Sequence, residues 1–460
     1  MPKSTKTSRS TRSAPLHVVH PHAAGIDIGS RTHYVAVAHD RDPKPVRNFG
    51  CTTPDLIAMA QWLKQCGVTT AAIESTGVYW MPAATILEEA GIDVYLVDPR
   101  QAHRIPGRKS DVQDCQWLQQ LHQFGLLARA FRPAPQIQPL RALWRHRRNI
   151  VEHCAEQIHR MHKCLEQMDL QLHKVLSDVT GQSGIRILRA ILQGQRDPLL
   201  LIALCHRACK RPKEEFIKAL TGHYRDEQLF ILGQVIETFD FHQRQLATCD
   251  EELERHLNTL PLKADIHDLV QQPDRKRRDP KRRKNQPHFD LRAQLFAITG
   301  TDLTQIEGID AATAFTIITE QGIDMDRFPD EKHFASHLGL CPNHRITGGR
   351  IKRRSTRKVT SRAATALRIA AQSLRKSDSA LGAFYRRMHA RLGPPKAITA
   401  VAHKLAKLVY RMLKYGHAYV HQGQQDYEAK HKEQLRISLI KRARQIGCEL
   451  LEIDTGVLLS

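Results

Sequence analysis

Ala23-Ala24-Gly25-Ile26-Asp27-Ile28-Gly29-Ser30 is the first apolar run after a leader rich in Ser, Thr, Lys and Arg, and its reading decides the fold. An apolar run bounded by glycine and serine predicts a short buried strand that lifts one carboxylate, Asp27, to its end. There Gly29 and Ser30 let a backbone or a phosphate come close. A buried ionised carboxylate is costly without a partner. The usual partners are a cation, a hydrogen-bonding phosphate loop or a metal ion.

Downstream, strands and helices alternate to about residue 130. Tyr34-Val35-Ala36-Val37-Ala38 is expected to return along the first strand as a hairpin. Thr53 as cap and Pro54 as first helical residue open a helix that turns Leu56, Ile57, Ala60 and Leu63 inward. Ala71-Ala72-Ile73-Glu74 predicts a strand that again ends in a carboxylate. A helix follows from about Pro82 to Ala90, stopping at Gly91, and Val94-Tyr95-Leu96-Val97 predicts one more strand. In a helix opening at Ser110, Asp111 and Asp114 lie three apart and share a face. Acids in a first helical turn are favoured by the helix dipole on structural grounds alone. Beside Asp27 and Glu74 at strand ends, however, they complete a group of four carboxylates at a sheet edge, where open α/β sheets keep their sites. Such a group repels itself unless divalent cations bind, and oxygen-only ligands select Mg2+ or Mn2+. Two such ions are the standard device for phosphodiester chemistry. The competing reading of the opening stretch is the first phosphate loop of an actin-like or sugar-kinase ATPase. That fold needs a second Asp-x-Gly loop and a glycine-rich adenosine site, and neither is found.

At 460 residues the chain is long enough for two or three domains, and 41% hydrophobic content builds real cores. Its 70 Lys and Arg against 47 Asp and Glu give a formal charge of +23, which the 26 histidines can only raise. A polyanion, nucleic acid first, is therefore the expected partner. No apolar run approaches the roughly 20 residues of a spanning helix, so a soluble cytoplasmic protein without a membrane partner is expected. Ten scattered cysteines without a signal peptide fit reduced thiols. Two groupings, Cys154 with His159, His162 and Cys164, and Cys205 with His206 and Cys209, lack paired CxxC spacing. They sit in helical text, where a thiol is commonly a small core residue.

Residues 1–22 read as a disordered basic arm, 23–135 as the α/β catalytic domain and 136–290 as a helical or coiled-coil arm. Residues 291–425 read as a mostly helical second domain and 426–460 as a C-terminal tail or helix. In the arm, a helix is expected from about Arg141 to Leu176, with Leu143, Ile150, Ile158, Met161, Leu165, Met168 and Leu172 on its apolar face. A basic loop, 273–288, brings Arg275, Lys276, Arg277, Arg278, Lys281, Arg282, Arg283 and Lys284 into phosphate contact. Ile306-Glu307-Gly308-Ile309, ahead of an apolar helix from Ala311, resembles a helix-hairpin-helix turn, whose amides hold a DNA phosphate. Behind the loop Ile346-Thr347-Gly348-Gly349 lies a positive run that binds nucleic acid in this reading: Arg350, Lys352, Arg353, Arg354, Arg357 and Lys358.

Taken together, Gly-Ile-Asp-Ile-Gly-Ser at Gly25, Ile73-Glu74-Ser75-Thr76-Gly77, Lys109-Ser110-Asp111-Val112-Gln113-Asp114, His337-Leu338-Gly339-Leu340-Cys341-Pro342, Ile346-Thr347-Gly348-Gly349 and Ser361-Arg362-Ala363-Ala364 resemble the IS110 family of insertion-sequence transposases. Ser379-Ala380-Leu381-Gly382-Ala383-Phe384-Tyr385 and Lys396-Ala397-Ile398-Thr399-Ala400 point to its eleven-eleven group, and the similarity runs from about Ala23 to Tyr427. The resemblance implies a RuvC-like, RNase H-like N-terminal domain whose DEDD carboxylates are Asp27, Glu74, Asp111 and Asp114. It implies a helical arm and a C-terminal transposase domain that supplies a serine nucleophile for a covalent DNA intermediate. It further implies a guide RNA pairing with target and donor DNA, a tetramer of paired dimers, and a bacterial cytoplasmic protein that joins the nucleoid when active. The family's serine falls here on Thr347. A threonine hydroxyl can attack phosphorus although its methyl crowds the approach, so the candidates are Thr347 and then neighbours such as Ser355 or Ser361. Arg350, Arg353 and Arg354 would steady the charged phosphate. The alternatives are a metal-dependent hydrolytic nuclease or Holliday-junction resolvase, and a nucleic-acid-binding protein without catalysis, in which the acids cap helices.

Overall fold

The computed structural model describes residues 17–75, 77–102, 110–207, 209, 211–269, 285–348, 350–357, 359–451 and 458–459. They form two compact units, 1–132 and 133–460.

The first unit is built on a five-stranded sheet in the order β3-β2-β1-β4-β5. The strands are β1 (Ala23–Ile28), β2 (Thr32–Ala36), β3 (Val46–Gly50), β4 (Thr70–Glu74) and β5 (Asp93–Val97). The opening apolar stretch lies at the centre: β1 runs antiparallel to β2 and parallel to β4, which is parallel to β5. Helices α1 (Thr53–Gln65) and α2 (Trp80–Glu89), a short α3 (Pro99–Ala102) and α4 (Asp111–Gln123) complete the unit. One sheet face carries the larger core, with Ile26, Ile28, Val35 and Ile73 packed among Leu56, Met59, Leu63, Ala83 and Leu87. On the other face Ala72 and Val97 meet Leu118 of α4.

Glycine decides how close α4 comes. A Cβ on Gly25 would stand 2.3 Å from the Cys115 carbonyl and from the Gln119 amide, so the helix backbone rests directly on β1 and no other residue fits there. Cys115, Leu118, Gln119 and His122 are buried at spacings of three and four along α4, the stripe a helix turns to a sheet.

Three local expectations shift. The cap of α1 is Thr52, whose amide donates to Asp55 Oδ2 at 3.2 Å, and Pro54 is the second helical residue. Strand β3 has no counterpart in the sequence reading, because Val-Arg-Asn-Phe-Gly at a sheet edge buries too little to show alternation. Nor does the basic arm reach residue 22. The amides of Val19 and His20 donate to the Gln123 carbonyl at 2.9 and 3.0 Å, and the His20 ring stacks on His122 with centroids 4.6 Å apart. Residues 1–16 lie outside the described residues.

Fully buried His122 takes a hydrogen-bonding contact of 2.9 Å from Thr70 Oγ1 to its Nε2. Burial first, then the neighbouring His20, pushes its pKa down to about 4. An unfolded histidine protonates near pH 6.5, so this stabilisation is whole above 6.5 and is lost as pH falls towards 4. The loss approaches about 3 kcal/mol. Thermal unfolding between pH 7 and 4.5 should show that slope, and His122→Gln should make it shallower; an unchanged slope in the variant would assign the acid sensitivity to other groups.

The second unit opens with α5 (Gln138–Gln167), α6 (Leu172–Val175), α7 (Gln182–Leu192), α8 (Pro198–Ala203), α9 (Lys213–Leu220) and α10 (Asp226–Leu257). The expected arm helix thus ends at Gln167, not Leu176; Asp169 turns the chain at φ 56° before α6. Helices α5 and α10 pack antiparallel, since Leu143 meets Cys249, Arg147 meets Asp250 and Cys154 meets Gln243. Deep between them, Arg147 and Asp250 form an ion pair with side chains 3% and 1% exposed. Arg147 Nη1 also donates to the Asn285 carbonyl at 3.0 Å, and Asp250 Oδ2 accepts the His288 amide at 3.1 Å. Residues 285–288 are therefore fixed to the arm instead of belonging to a free basic loop. Arg275 to Lys284, the rest of that loop, fall outside the described residues.

Then come α11 (Leu291–Thr299), α12 (Ala311–Gln321), α13 (Glu331–His337), β6 (Pro342–Thr347), β7 (Arg350–Thr356), α14 (Arg362–Ser373), α15 (Ala380–Leu392), α16 (Pro394–Tyr415) and α17 (His417–Gln445). Helix α16 buries Val401, Leu405 and Val409 and packs against α13, α14 and α15. Gly416, at φ 76°, separates α16 from α17, so the boundary expected at 425 falls inside a helix. Among the described residues no helix is long and apolar enough to cross a membrane.

Candidate active site

Asp27 and Glu74 share a sheet edge by register. Ile26 of β1 is level with Ile73 of β4 in a parallel pair, so the residues one step on, Asp27 and Glu74, are level too and project to the same face. Gly25, two residues before Asp27, contacts α4, so Asp27 also lies on the α4 side. Ser110 caps that helix, accepting the Gln113 amide at 3.3 Å. Asp111 and Asp114 therefore fall in the first turn, on the stripe that continues through Cys115 and Leu118.

The electrostatics confirm that the four are neighbours. The Asp27 pKa is pushed up to about 6, first by burial and then by the charges of Glu74, Asp111 and Asp114, while a hydrogen bond from the Ile28 amide opposes the shift. Three like charges around a half-buried carboxylate call for positive charge, and a donor set made only of carboxylate oxygens suits a hard divalent cation. Among the described residues no three His, Cys, Asp or Glu side chains are placed to enclose an ion. The four carboxylates thus feel one another's charge without forming a closed cage.

Two neighbours escaped the sequence reading. Tyr34 is directly opposite Asp27 on β2 and so shares its face; the alternation of β2 would have revealed it once the hairpin register was known. Cys115, fully buried, has its thiol pushed up to about 12 by burial and by Asp27, which leaves it a neutral wall of the site.

The candidate hydroxyls lie in the second unit. What reads as a loop before a positive run is a hairpin of β6 and β7, with Thr347 opposite Arg350 and Ser355 opposite Asn343. Thr347 is exposed as the last residue of β6, and Gly348 turns at φ 56°, as a two-residue hairpin turn requires. Ser355 lies five strand steps beyond Arg350, about 16 Å at ~3.3 Å per residue, so Thr347 and Ser355 cannot serve the same phosphate interchangeably. Ser361 is occupied as the cap of α14, accepting the Ala364 amide at 3.2 Å.

The basic run is not one uniform patch. Arg350 and Lys352 are exposed on β7, and the backbones of Arg353 and Arg354 pair with Arg345 and His344. Arg357 is spent on structure, donating to the Ser336 and His337 carbonyls at 3.3 and 3.4 Å, where a cation suits a helix C-terminus. Lys358 is outside the described residues. At the turn read as helix-hairpin-helix, Ile309 donates to Ile306 at 3.0 Å and Asp310 takes the Thr313 amide at 2.9 Å. The Asp310 carboxylate thus already caps the N-terminus of α12.

Two family models match the chain. One, described as a transposase of the DEDD type of IS110, covers residues 24–169, and the other, described as the Transposase IS116/IS110/IS902 family, covers 300–386. Together they take in just over half of the 460 residues. The first spans the sheet and all four carboxylates, and implies an RNase H-like fold for that unit; the second spans the β6–β7 hairpin. No curated protein matches the chain.

Proposed function

The chain belongs to the IS110 family of transposases and is a DNA recombinase, and from that premise we propose that Asp27, Glu74, Asp111 and Asp114 are its catalytic carboxylates and Thr347 its nucleophile. The observation that carries the reading is the register that sets Asp27 level with Glu74 on the face where α4 rests, with Asp27 raised by the charges of the other three. Isolated helix-capping acids would not meet at two strand ends.

The four carboxylates would hold Mg2+ or Mn2+, which supplies Lewis-acid stabilisation of the charge that builds on the phosphate. The first unit's own part is to hold the scissile phosphate at its sheet edge, and the second unit supplies the attacking hydroxyl of Thr347. The Thr347 Oγ1 bonds to phosphorus as one phosphorus–sugar oxygen bond breaks, and the hydroxyl proton passes to the departing oxygen by way of solvent. The product is a covalent threonine–DNA ester and a free sugar hydroxyl, which reverses the step in strand exchange. Arg350 is next to Thr347 across the turn and is the nearest described cation of that hairpin to steady the phosphate. Target choice falls to a guide RNA of the element, which suits a chain of charge +23, and assembly to a tetramer of paired dimers and membership of the eleven-eleven group complete the reading.

The hydroxyl is tested by trapping the adduct on denaturing gels with the chain, its co-purified RNA and labelled element DNA. Thr347→Ala should remove the adduct, Thr347→Ser should keep or raise it by relieving the methyl, and Ser355→Ala should leave it. Loss of the adduct in Ser355→Ala alone would move the role to Ser355. Cleavage with no adduct in the unaltered chain would establish the hydrolytic nuclease instead.

A further inference from the structure

Val78, Tyr79 and Met81 expose 64, 50 and 51% of their surface on the short connection that leaves Glu74 and enters α2. Apolar side chains scattered singly on a surface need no explanation, but three so close in sequence, on the connection that leaves β4 at its carboxylate, do. Val112, 40% exposed, stands between Asp111 and Asp114 on α4. Both elements that follow or carry the carboxylates therefore also present apolar surface.

The Tyr79 ring lies beside the turn that precedes it. Gly77 turns at φ 60°, and a Cβ on it would lie 3.5 Å from Tyr79 Cδ2; with glycine there, one side of the ring rests near the backbone while half the residue stays open to solvent. Trp80, the next residue, goes the other way and packs against the sheet core, with the Arg132 guanidinium 5.4 Å from its ring centre. One aromatic thus anchors the connection and its neighbour is left outside.

We propose that Tyr79, flanked by Val78 and Met81, is the platform on which an unstacked base of the DNA strand rests while its phosphate lies at the carboxylates. The inference rests on the carboxylate reading above and deepens it. A ring face accepts any base by stacking, and branched or thioether side chains fill the space that opens between separated bases. The occupant is a nucleic acid because the connection issues from Glu74, one of the groups whose chemistry needs a phosphodiester, in a chain whose charge of +23 gathers polyanions. A duplex hides its base faces, so the platform favours a strand already separated.

Photo-cross-linking with a single-stranded 5-iodouracil oligonucleotide tests this on the full chain carrying Asp27→Asn, which removes cleavage from the readout. The cross-link should map to Tyr79. At salt high enough to weaken phosphate contacts, Tyr79→Ala should lose about 5- to 100-fold in single-strand affinity with duplex affinity unchanged, and Tyr79→Trp should retain it. Cross-links mapping only elsewhere, with single-strand affinity unchanged in Tyr79→Ala, would overturn the proposal. So would a changed sedimentation of the free Tyr79→Ala chain with unchanged DNA binding, which would assign the patch to a second copy. Because the cross-link needs no cleavage, its result stands apart from the fate of the carboxylate reading.

Discussion

Asp27→Asn is expected to lower strand cleavage by at least about 10³-fold, equivalent to about 4 kcal/mol of transition-state stabilisation. The change keeps the shape of the side chain and removes one of four mutually repelling charges at the sheet edge. Folding should therefore not suffer: with divalent cations chelated, the melting temperature should match or exceed that of the unaltered chain, because burial and the charges of Glu74, Asp111 and Asp114 all oppose ionisation of Asp27. Adding Mg2+ should raise the melting temperature of the unaltered chain more than that of the variant. RNA and DNA binding should persist, since the positive charge of the chain is untouched. Full cleavage by Asp27→Asn would end the carboxylate assignment. Lost cleavage together with lost folding would make Asp27 a structural residue instead.

The largest effect on stability is expected at Asp250. Its carboxylate and the Arg147 guanidinium are nearly sealed from solvent, and between them they bind the Asn285 carbonyl and the His288 amide. Asp250→Ala would leave the guanidinium buried and unpaired, at a cost of about 3–5 kcal/mol, whereas replacing both partners by apolar residues should cost far less. Two units need not unfold together, so a single global midpoint is the wrong measure. Hydrogen exchange along α5 and α10 is the right one. Protection there should drop sharply in Asp250→Ala and recover much of the way in an Arg147→Met, Asp250→Leu double variant. Equal protection in the single variant and the unaltered chain would show that the pair does not hold the arm together.

The contrast between these two residues marks what a single sequence can and cannot convey. Asp27, Glu74, Asp111 and Asp114 were all legible because each sits at the end of an element that short-range pattern announces: an apolar run for β1 and β4, a serine cap for α4. The β1–β2 hairpin follows from the same kind of signal. Asp250 carries no such mark. It lies mid-helix in charged text, and its partner is 103 positions away. The strand formed by the positive run after Thr347 was hidden for a related reason, since cross-strand pairing makes it β7 and its composition shows only charge. Arg357, one more cation in that run, is consumed by the end of α13.

By itself, then, the sequence determined the elements of the first unit other than its edge strand β3, the four carboxylates at their ends and the family, because periodicity, caps and strand ends are written in neighbouring residues. Only the tertiary structure decided which charges are spent on the fold, how α4 rests on β1 at Gly25, that Tyr34 faces Asp27, and that Thr347 and Ser355 stand far apart on one hairpin. Those outcomes depend on register and on contacts between residues distant in the chain, where burial and pairing override local composition.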